Sequence, residues 1–336
     1  MILRMNQAIA RALADEMDID PTVIVMGEDV AAAGGVFKAT EGLMERFGPQ
    51  RVRDTPISEM GFLGAGVGAA ATGLRPVVEV MFAEFLGVAL DQLTTQAALQ
   101  HYLSAGAIKI PLVVRASCGA GLGFGAQHSQ TLERWFLGTP GLRIAVPSGS
   151  RTAYGLMRSA IRDDNPVLLL EPRALYGARQ EFVPSEEELI PLGVSAVIES
   201  GHDVTVVALG QMVGIVERAM SQYARSSIEL IDLQTLMPWD RDAVMESVAK
   251  TGRLAIVEEN QFTGGWGTEI AAYVAGAGFS LLRAPIIRVT APDVPVPYAS
   301  ELEQRYVPTP AYVAAQVDYL VATGEMPEAW WAEEST

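Results

Sequence analysis

A two-domain α/β fold is the class this sequence predicts, and three observations predict it. Short β-branched runs recur along the chain, they are continuously apolar rather than alternating, and the segments between them have helical length and spacing. In the first half the runs are "TVIVMGEDV", "PVVEVMF", "PLVVRAS", "RIAVPS" and "PVLLLEPR". In the second half they are "DVTVVALG", "IELIDLQTL", "RLAIVEE" and "IIRVTAPD". Strands that are apolar on both faces belong to a parallel sheet covered on both sides. Residues 150–163 and 212–224 have the helical pattern that parallel crossovers need. The opening "MILRMNQAIARALADEMDID" is amphipathic and carries acids, so it reads as a helix rather than a signal peptide.

The polar, acidic, proline-containing stretch from Ala178 to Gly201 marks a break between two strand sets. The expected division is a domain over 1–185, a linker over 186–200, a second domain over 201–325 and an acidic tail over 326–336. In that tail Trp330 and Trp331 stand beside acids, a pattern suited to a docking patch.

With 336 residues, 49% of them hydrophobic, the chain can bury sizeable cores. A net charge of -16 argues against a nucleic-acid or anionic-membrane partner, since both need a basic face. The longest apolar run, Phe62 to Leu74, is too short to cross a bilayer, and a soluble cytoplasmic protein is expected. The single cysteine, Cys118, excludes an internal disulfide and reads as a small buried hydrophobe. A mean hydropathy of +0.22 is high for so acidic a chain and points to apolar surface that meets other subunits.

Metal and common hydrolase chemistry find no foothold. The three histidines, His101, His128 and His202, do not pair at ligand spacing, and the chain has no C-x-x-C, G-x-S-x-G, G-x-x-x-x-G-K-[ST] or H-E-x-x-H. Gly66, Gly68 and Ala71 satisfy G-x-G-x-x-A, but "DTPISEM" precedes them where a dinucleotide site needs a hydrophobic strand. Close packing against another helix or subunit is the better reading of these small residues.

Two places remain. Glu59 stands directly before the Gly/Ala run, followed by Met60, Gly61, Phe62 and Leu63. A carboxylate in such apolar company either opens a helix or lends its proton to chemistry. The stretch "GAGLGFGAQHSQTLERWF", residues 119–136, follows a predicted parallel strand, where α/β folds place their sites. Its glycines make a mobile or tightly turned loop, and His128 follows them as a catalytic or structural histidine.

These stretches together resemble the beta subunits of the thiamine-diphosphate-dependent decarboxylating component of 2-oxo acid dehydrogenase complexes. That family acts on pyruvate or branched-chain oxo acids and includes acetoin dehydrogenases. The resemblance rests on "GEDV", "GGVFKAT", "DTPISEMGF", "GLRPVVEVMF", "GAQHSQ", "PGLRIAVPS", "DDNPVLLLEP" and "IDLQTLMPWD", in order from about residue 5 to residue 315. It implies a thiamine-diphosphate pyrimidine-binding domain with a parallel sheet, followed by a transketolase-like C-terminal α/β domain. It also implies that Glu59, the glutamate of "ISE", hydrogen-bonds the aminopyrimidine ring of thiamine diphosphate. A carboxyl held away from water can share a proton with a ring nitrogen, and the cofactor then carries the carbanion chemistry. Phe85 matches an aromatic that packs on the aminopyrimidine. His128 matches a histidine near the substrate, placed to handle protons when the acyl unit passes to lipoate. A potassium ion held mostly by main-chain oxygens maps onto Leu112, Ala160, Asp163 and Asn165.

No "GDG" occurs in the chain, although the family's diphosphate and Mg2+ need a G-D-G…N motif. The resemblance therefore implies an alpha subunit that binds Mg2+, in a heterotetramer of two alpha and two beta chains. It implies a dihydrolipoyl acyltransferase core as a further partner, with the acidic tail as the docking surface. Gly138 stands where relatives often carry a histidine, which leaves that histidine's role without a counterpart. Pyruvate, acetoin or another small 2-oxo acid all fit as substrate. Two other classes stay open: a split transketolase- or synthase-type thiamine enzyme with no lipoyl partner, and a non-catalytic pairing subunit.

Overall fold

The computed structural model describes residues 1–185, 187–329 and 331–332, which form two compact units. The first unit gathers residues 1–119, 135–192 and 235–238; the second gathers 120–134, 193–234 and the chain from 239 onward.

The first unit opens with β1 (Ile2–Arg4) and α1 (Met5–Ile19), then β2 (Val23–Gly27), α2 (Leu43–Phe47), β3 (Val52–Asp54) and α3 (Glu59–Ala71). It continues with β4 (Arg75–Phe82), α4 (Gln100–Leu103), β5 (Val113–Cys118), β6 (Arg143–Ala145), α5 (Ser150–Arg162), β7 (Val167–Pro172) and β8 (Arg179–Glu181). Strands β6-β7-β5-β4-β2-β3 pair in that order, all parallel, as their unbroken apolar runs require. β1 and β8 form a separate antiparallel pair.

α1 shows why these helices form. Met5, Ile9, Leu13 and Met17 recur at helical spacing, are almost fully buried, and share one core with Ala153, Leu156 and Met157 of α5. Each such side chain contributes about 1.5–3 kcal/mol on burial. The residue before the helix, Arg4, is a poor cap, so the apolar stripe holds the helix.

The second unit begins with β9 (Ala196–Glu199), β10 (Val204–Ala208), α6 (Gln211–Gln222) and β11 (Ile228–Asp232). The chain then gives β12 (Thr235–Met237) to the first sheet, antiparallel to β6, which makes that sheet seven-stranded. α7 (Arg241–Thr251), β13 (Leu254–Gln261), α8 (Gly267–Ala277), β14 (Ile287–Ala291), α9 (Ser300–Glu303) and α10 (Pro310–Thr323) complete the second unit. Its sheet runs β14-β13-β10-β11-β9, parallel except for β9. Val313, Val317 and Leu320 of α10 join Val213 and Val216 of α6 in its core.

The run "IELIDLQTL", read as one strand, is two. Gln234 takes a left-handed φ of 60° and divides it into β11 and β12. Trp331 packs against the second core, its ring 6.1 Å from that of Phe262, while Trp330 and residues 333–336 lie outside the described residues. Among the described residues, no helix is long and apolar enough to cross a membrane.

Candidate active site

In the first unit, parallel strands β2, β3 and β4 end at Gly27, Asp54 and Phe82, and their carboxyl ends form the edge where α/β sheets bind ligands. Glu28 follows β2, Glu59 follows β3 and Phe85 follows β4. Glu59 is the first residue of α3, a position the helix dipole favours for a carboxylate. It is 9% exposed, whereas its neighbours Ile57 and Met60 are 84% and 56% exposed. The backbone thus turns the acid inward and leaves the apolar side chains outward, the reverse of an ordinary surface helix.

Glu28 is the residue that sequence reasoning passed over. Burial, and next the Glu59 charge, push its carboxyl above the usual range, so the two acids share one electrostatic environment. The motif "GEDV" was a visible signal, but nothing in one sequence showed that Glu28 would meet Glu59. Between them in the chain, Thr55 anchors its amide on the Gly27 carbonyl at 2.9 Å, while its buried hydroxyl has no partner among the described residues. Two acids and an unsatisfied hydroxyl at a sheet's carboxyl edge fit a polar, proton-sharing ring.

Phe85 is placed by a relay of rings. Phe82 meets it edge-on at 5.6 Å, and Phe37 meets Phe82 edge-on at 5.8 Å. The Arg173 guanidinium lies 4.7 Å from the Phe82 centroid, and Arg173 is 1% exposed. Phe37 also stacks on Tyr176 at 5.1 Å, whose hydroxyl donates to Glu171 at 2.6 Å. Glu171 in turn shares Arg115 with Glu79, a buried ionic group across β4, β5 and β7. Glu79 is thus one of two buried carboxylates held by Arg115.

His128 belongs to the second unit and so is not brought together with Glu59 and Phe85 within one unit. The loop that carries it is tightly turned. Gly121, Gly123 and Gly125 have φ of 110°, 72° and 68°, conformations that glycine adopts without strain. The Ala120 amide donates to Glu259 at 2.6 Å, and the Gly121 and Gly123 amides donate to the two carboxylate oxygens of Glu303, each at 2.9 Å. Beyond His128, Asn260 donates to the Thr131 carbonyl at 3.3 Å and to Glu133 at 2.9 Å. His128 itself is partly exposed, and the neighbouring Ser129 hydroxyl is buried with no partner among the described residues.

Leu112, Ala160, Asp163 and Asn165 gather at the opposite, amino-terminal ends of β5 and β7. The oxygens of Leu112, Ala160 and Asp163 already have partners. The Leu112 carbonyl accepts from Val167 at 2.8 Å and the Ala160 carbonyl from Asp163 at 3.3 Å. The Asp163 carbonyl accepts from Arg75 at 3.0 Å, and its carboxylate pairs with Arg143 at 3.0 Å. A monovalent cation would need the second lone pairs of these carbonyls and would stand beside two guanidinium groups. The fit there is weaker than at Glu59. Among the described residues, no group of three or more His, Cys, Asp and Glu is arranged to hold a metal ion.

Comparison with known proteins agrees with this architecture. Residues 3–179 match the family model described as the transketolase pyrimidine binding domain, and residues 193–313 match the transketolase C-terminal domain. The chain is 44% identical over 313 residues to the mitochondrial pyruvate dehydrogenase E1 component subunit beta-1 of Arabidopsis thaliana, covering 91% of this chain and 86% of the relative. It is 42% identical over 323 residues to the acetoin:2,6-dichlorophenolindophenol oxidoreductase subunit beta of Bacillus subtilis strain 168, covering 92% and 94%. Among solved structures, a split-gene transketolase in an inactive beta4 tetramer aligns with a TM-score of 0.77 at 23% identity, covering 95% of this chain and 98% of that one. This last likeness is one of fold.

Proposed function

This chain belongs to the family of beta subunits of pyruvate dehydrogenase E1 and acetoin oxidoreductase enzymes, built from transketolase pyrimidine-binding and C-terminal domains, and from that premise we propose that it is the beta half of a thiamine-diphosphate-dependent enzyme. Its reaction is the cleavage of a small 2-oxo acid or acetoin, with transfer of the acyl unit to a lipoyl-acyltransferase. The observation that carries this reading is the inward-turned Glu59 beside Glu28 at the sheet's carboxyl edge.

Bound thiamine diphosphate would supply the electron sink for breaking the carbon–carbon bond. Glu59 would hydrogen-bond the aminopyrimidine nitrogen and relay a proton there. Phe85, braced by Phe82, would pack on the ring and set its plane. His128 would orient the substrate and move a proton during acyl transfer. The alpha subunit would bind the diphosphate and Mg2+, since this chain lacks the motif for them. Potassium at Leu112, Ala160, Asp163 and Asn165 is a structural accessory of this proposal, tested by activity and melting in potassium against sodium.

The working assembly would be two alpha and two beta chains, in the cytoplasm, on a dihydrolipoyl acyltransferase core. Ile57 and Met60 at the site's rim suit burial by a partner chain. For the acidic tail as docking surface, Trp331 is already engaged with Phe262, so docking would rest on the acids.

The test is calorimetric titration of thiamine diphosphate with Mg2+ into this chain alone, its alpha partner alone, and the pair. Tight binding by the pair only is the expected result. Binding by this chain alone would overturn the shared site. A pair that binds cofactor and turns over substrate, yet never acylates a lipoylated domain, would favour the split-transketolase class.

A further inference from the structure

The loop before His128 is held by an internal anion. Glycines with positive φ at 121 and 123 turn their N–H groups to one side, which makes a concavity of the kind that binds carboxylates and phosphates. Glu303 fills it, one carboxylate oxygen on each amide at 2.9 Å, and is itself only 5% exposed. Glu259 takes the next amide back, at Ala120. The chain around Glu303 presses on the same loop: a Cβ at Gly125 would lie 3.2 Å from the Tyr298 ring. Ala120, Ala291, Val296 and Tyr306 form an apolar plate of buried residues beneath.

We propose that Glu303 is a positioning residue for His128: its carboxylate fixes the path of residues 120–126 and thereby the place of the imidazole in the reaction. The proposal rests on the reading of His128 given above. The argument is one of geometry. A glycine-rich segment has the largest conformational freedom of any, so its shape comes from outside partners. Charge-assisted bonds to two amides are about twice as strong as neutral ones, and they act seven and five residues before the imidazole. A misplacement of about 1 Å at a reacting group can cost on the order of 100-fold in rate. Among the described residues, it is Glu303 that holds Gly121 and Gly123 together.

The experiment uses the assembled alpha–beta enzyme with Glu303→Ala and Glu303→Gln, alongside His128→Ala. Amide hydrogen exchange of peptides spanning 120–126, thiamine diphosphate affinity, and kcat and KM for acylation of a lipoylated domain are measured on each. Glu303→Ala should speed exchange in that segment about 10-fold or more and lower kcat about 10- to 100-fold, with cofactor affinity within about 2-fold. Glu303→Gln keeps the reach but only one of the two acceptors, with an NH2 donor facing the other amide, and should recover only part of the rate. If Glu303→Ala does not assemble, Glu303→Asp gives the same comparison with a reach one methylene shorter.

Exchange that does not change would overturn the proposal, as would a loss in Glu303→Ala that lies in cofactor affinity rather than in kcat. Faster exchange with normal kcat, in an enzyme that His128→Ala disables, would also overturn it. An enzyme left fully active by His128→Ala would overturn the reading of His128 itself, while the exchange data would still report whether Glu303 clamps the loop.

Discussion

The Arg173 guanidinium lies 4.7 Å from the centroid of Phe82, and the Phe82 ring meets Phe85 edge-on at 5.6 Å. A cation fixed on one ring sets the tilt of the next. Phe85→Leu should therefore weaken thiamine diphosphate binding about 3- to 10-fold, the worth of one aromatic pair. Phe82→Leu, further from the cofactor, should act in the same direction with smaller amplitude and a lower melting temperature. Calorimetry on the assembled enzyme checks both, and unchanged affinity in Phe85→Leu would remove the ring from the site.

Glu59→Gln should leave assembly intact and cut turnover by roughly 100- to 10,000-fold, since the amide keeps the shape and cannot relay the proton. Size-exclusion chromatography and steady-state rates separate these effects. Wild-type turnover in the variant would end the proposed mechanism. Glu28→Gln should have a smaller effect and should move the acid limb of the pH–rate profile, because Glu28 and Glu59 share their charge environment.

The small residues of α3 should split into two classes. A Cβ on Gly66 would sit 2.7 Å from a Val78 methyl of β4, so Gly66→Ala should destabilise by about 1–3 kcal/mol. Gly68 has nothing within 4 Å, so Gly68→Ala should be neutral or should stabilise the chain alone by up to about 1 kcal/mol. Thermal unfolding of each variant decides it. If Gly68→Ala then impairs pairing with the alpha chain, the open stripe is a subunit contact.

Burial lifts the Glu258 carboxyl to about 7, against the opposing pull of Arg288 and the Gly267 amide. Folded Glu258 thus keeps its proton where the unfolded side chain has lost it. The associated stability is full below about pH 4.5 and is lost as pH rises through about 7. Relative to Glu258→Gln, which does not titrate, the wild type should lose on the order of 3 kcal/mol between pH 4.5 and pH 8. Melting curves of the two proteins across that range test the sign. A constant difference would mean that Arg288 keeps the acid ionised throughout.

Much of the architecture was legible because parallel strands and amphipathic helices leave strong periodic signals. The runs around Val23–Gly27, Val113–Cys118 and Val204–Ala208 became buried strands, and residues 150–163 became a helix over Ser150–Arg162. The division at Gln234 was not legible, because a left-handed φ at a non-glycine residue carries no compositional mark. In the site, Glu59 could be singled out as an acid in apolar company. Glu28 and Glu303 could not, because their meaning lies in what they face. Glu303 belongs to a four-residue helix far along the chain from the glycines it holds.

β12 has a consequence for how such a gene can change. Its three residues leave one unit's stretch of sequence to complete the other unit's sheet, and residues 120–134 do the converse. A recombination event anywhere between codons 193 and 234 would give a chimera whose first sheet takes its edge strand from one parent and its neighbours from another. It would also set one parent's glycine loop on the other parent's Glu259 and Glu303. Neither half of the sequence holds a complete unit, so a simple exchange of halves would leave both units mixed.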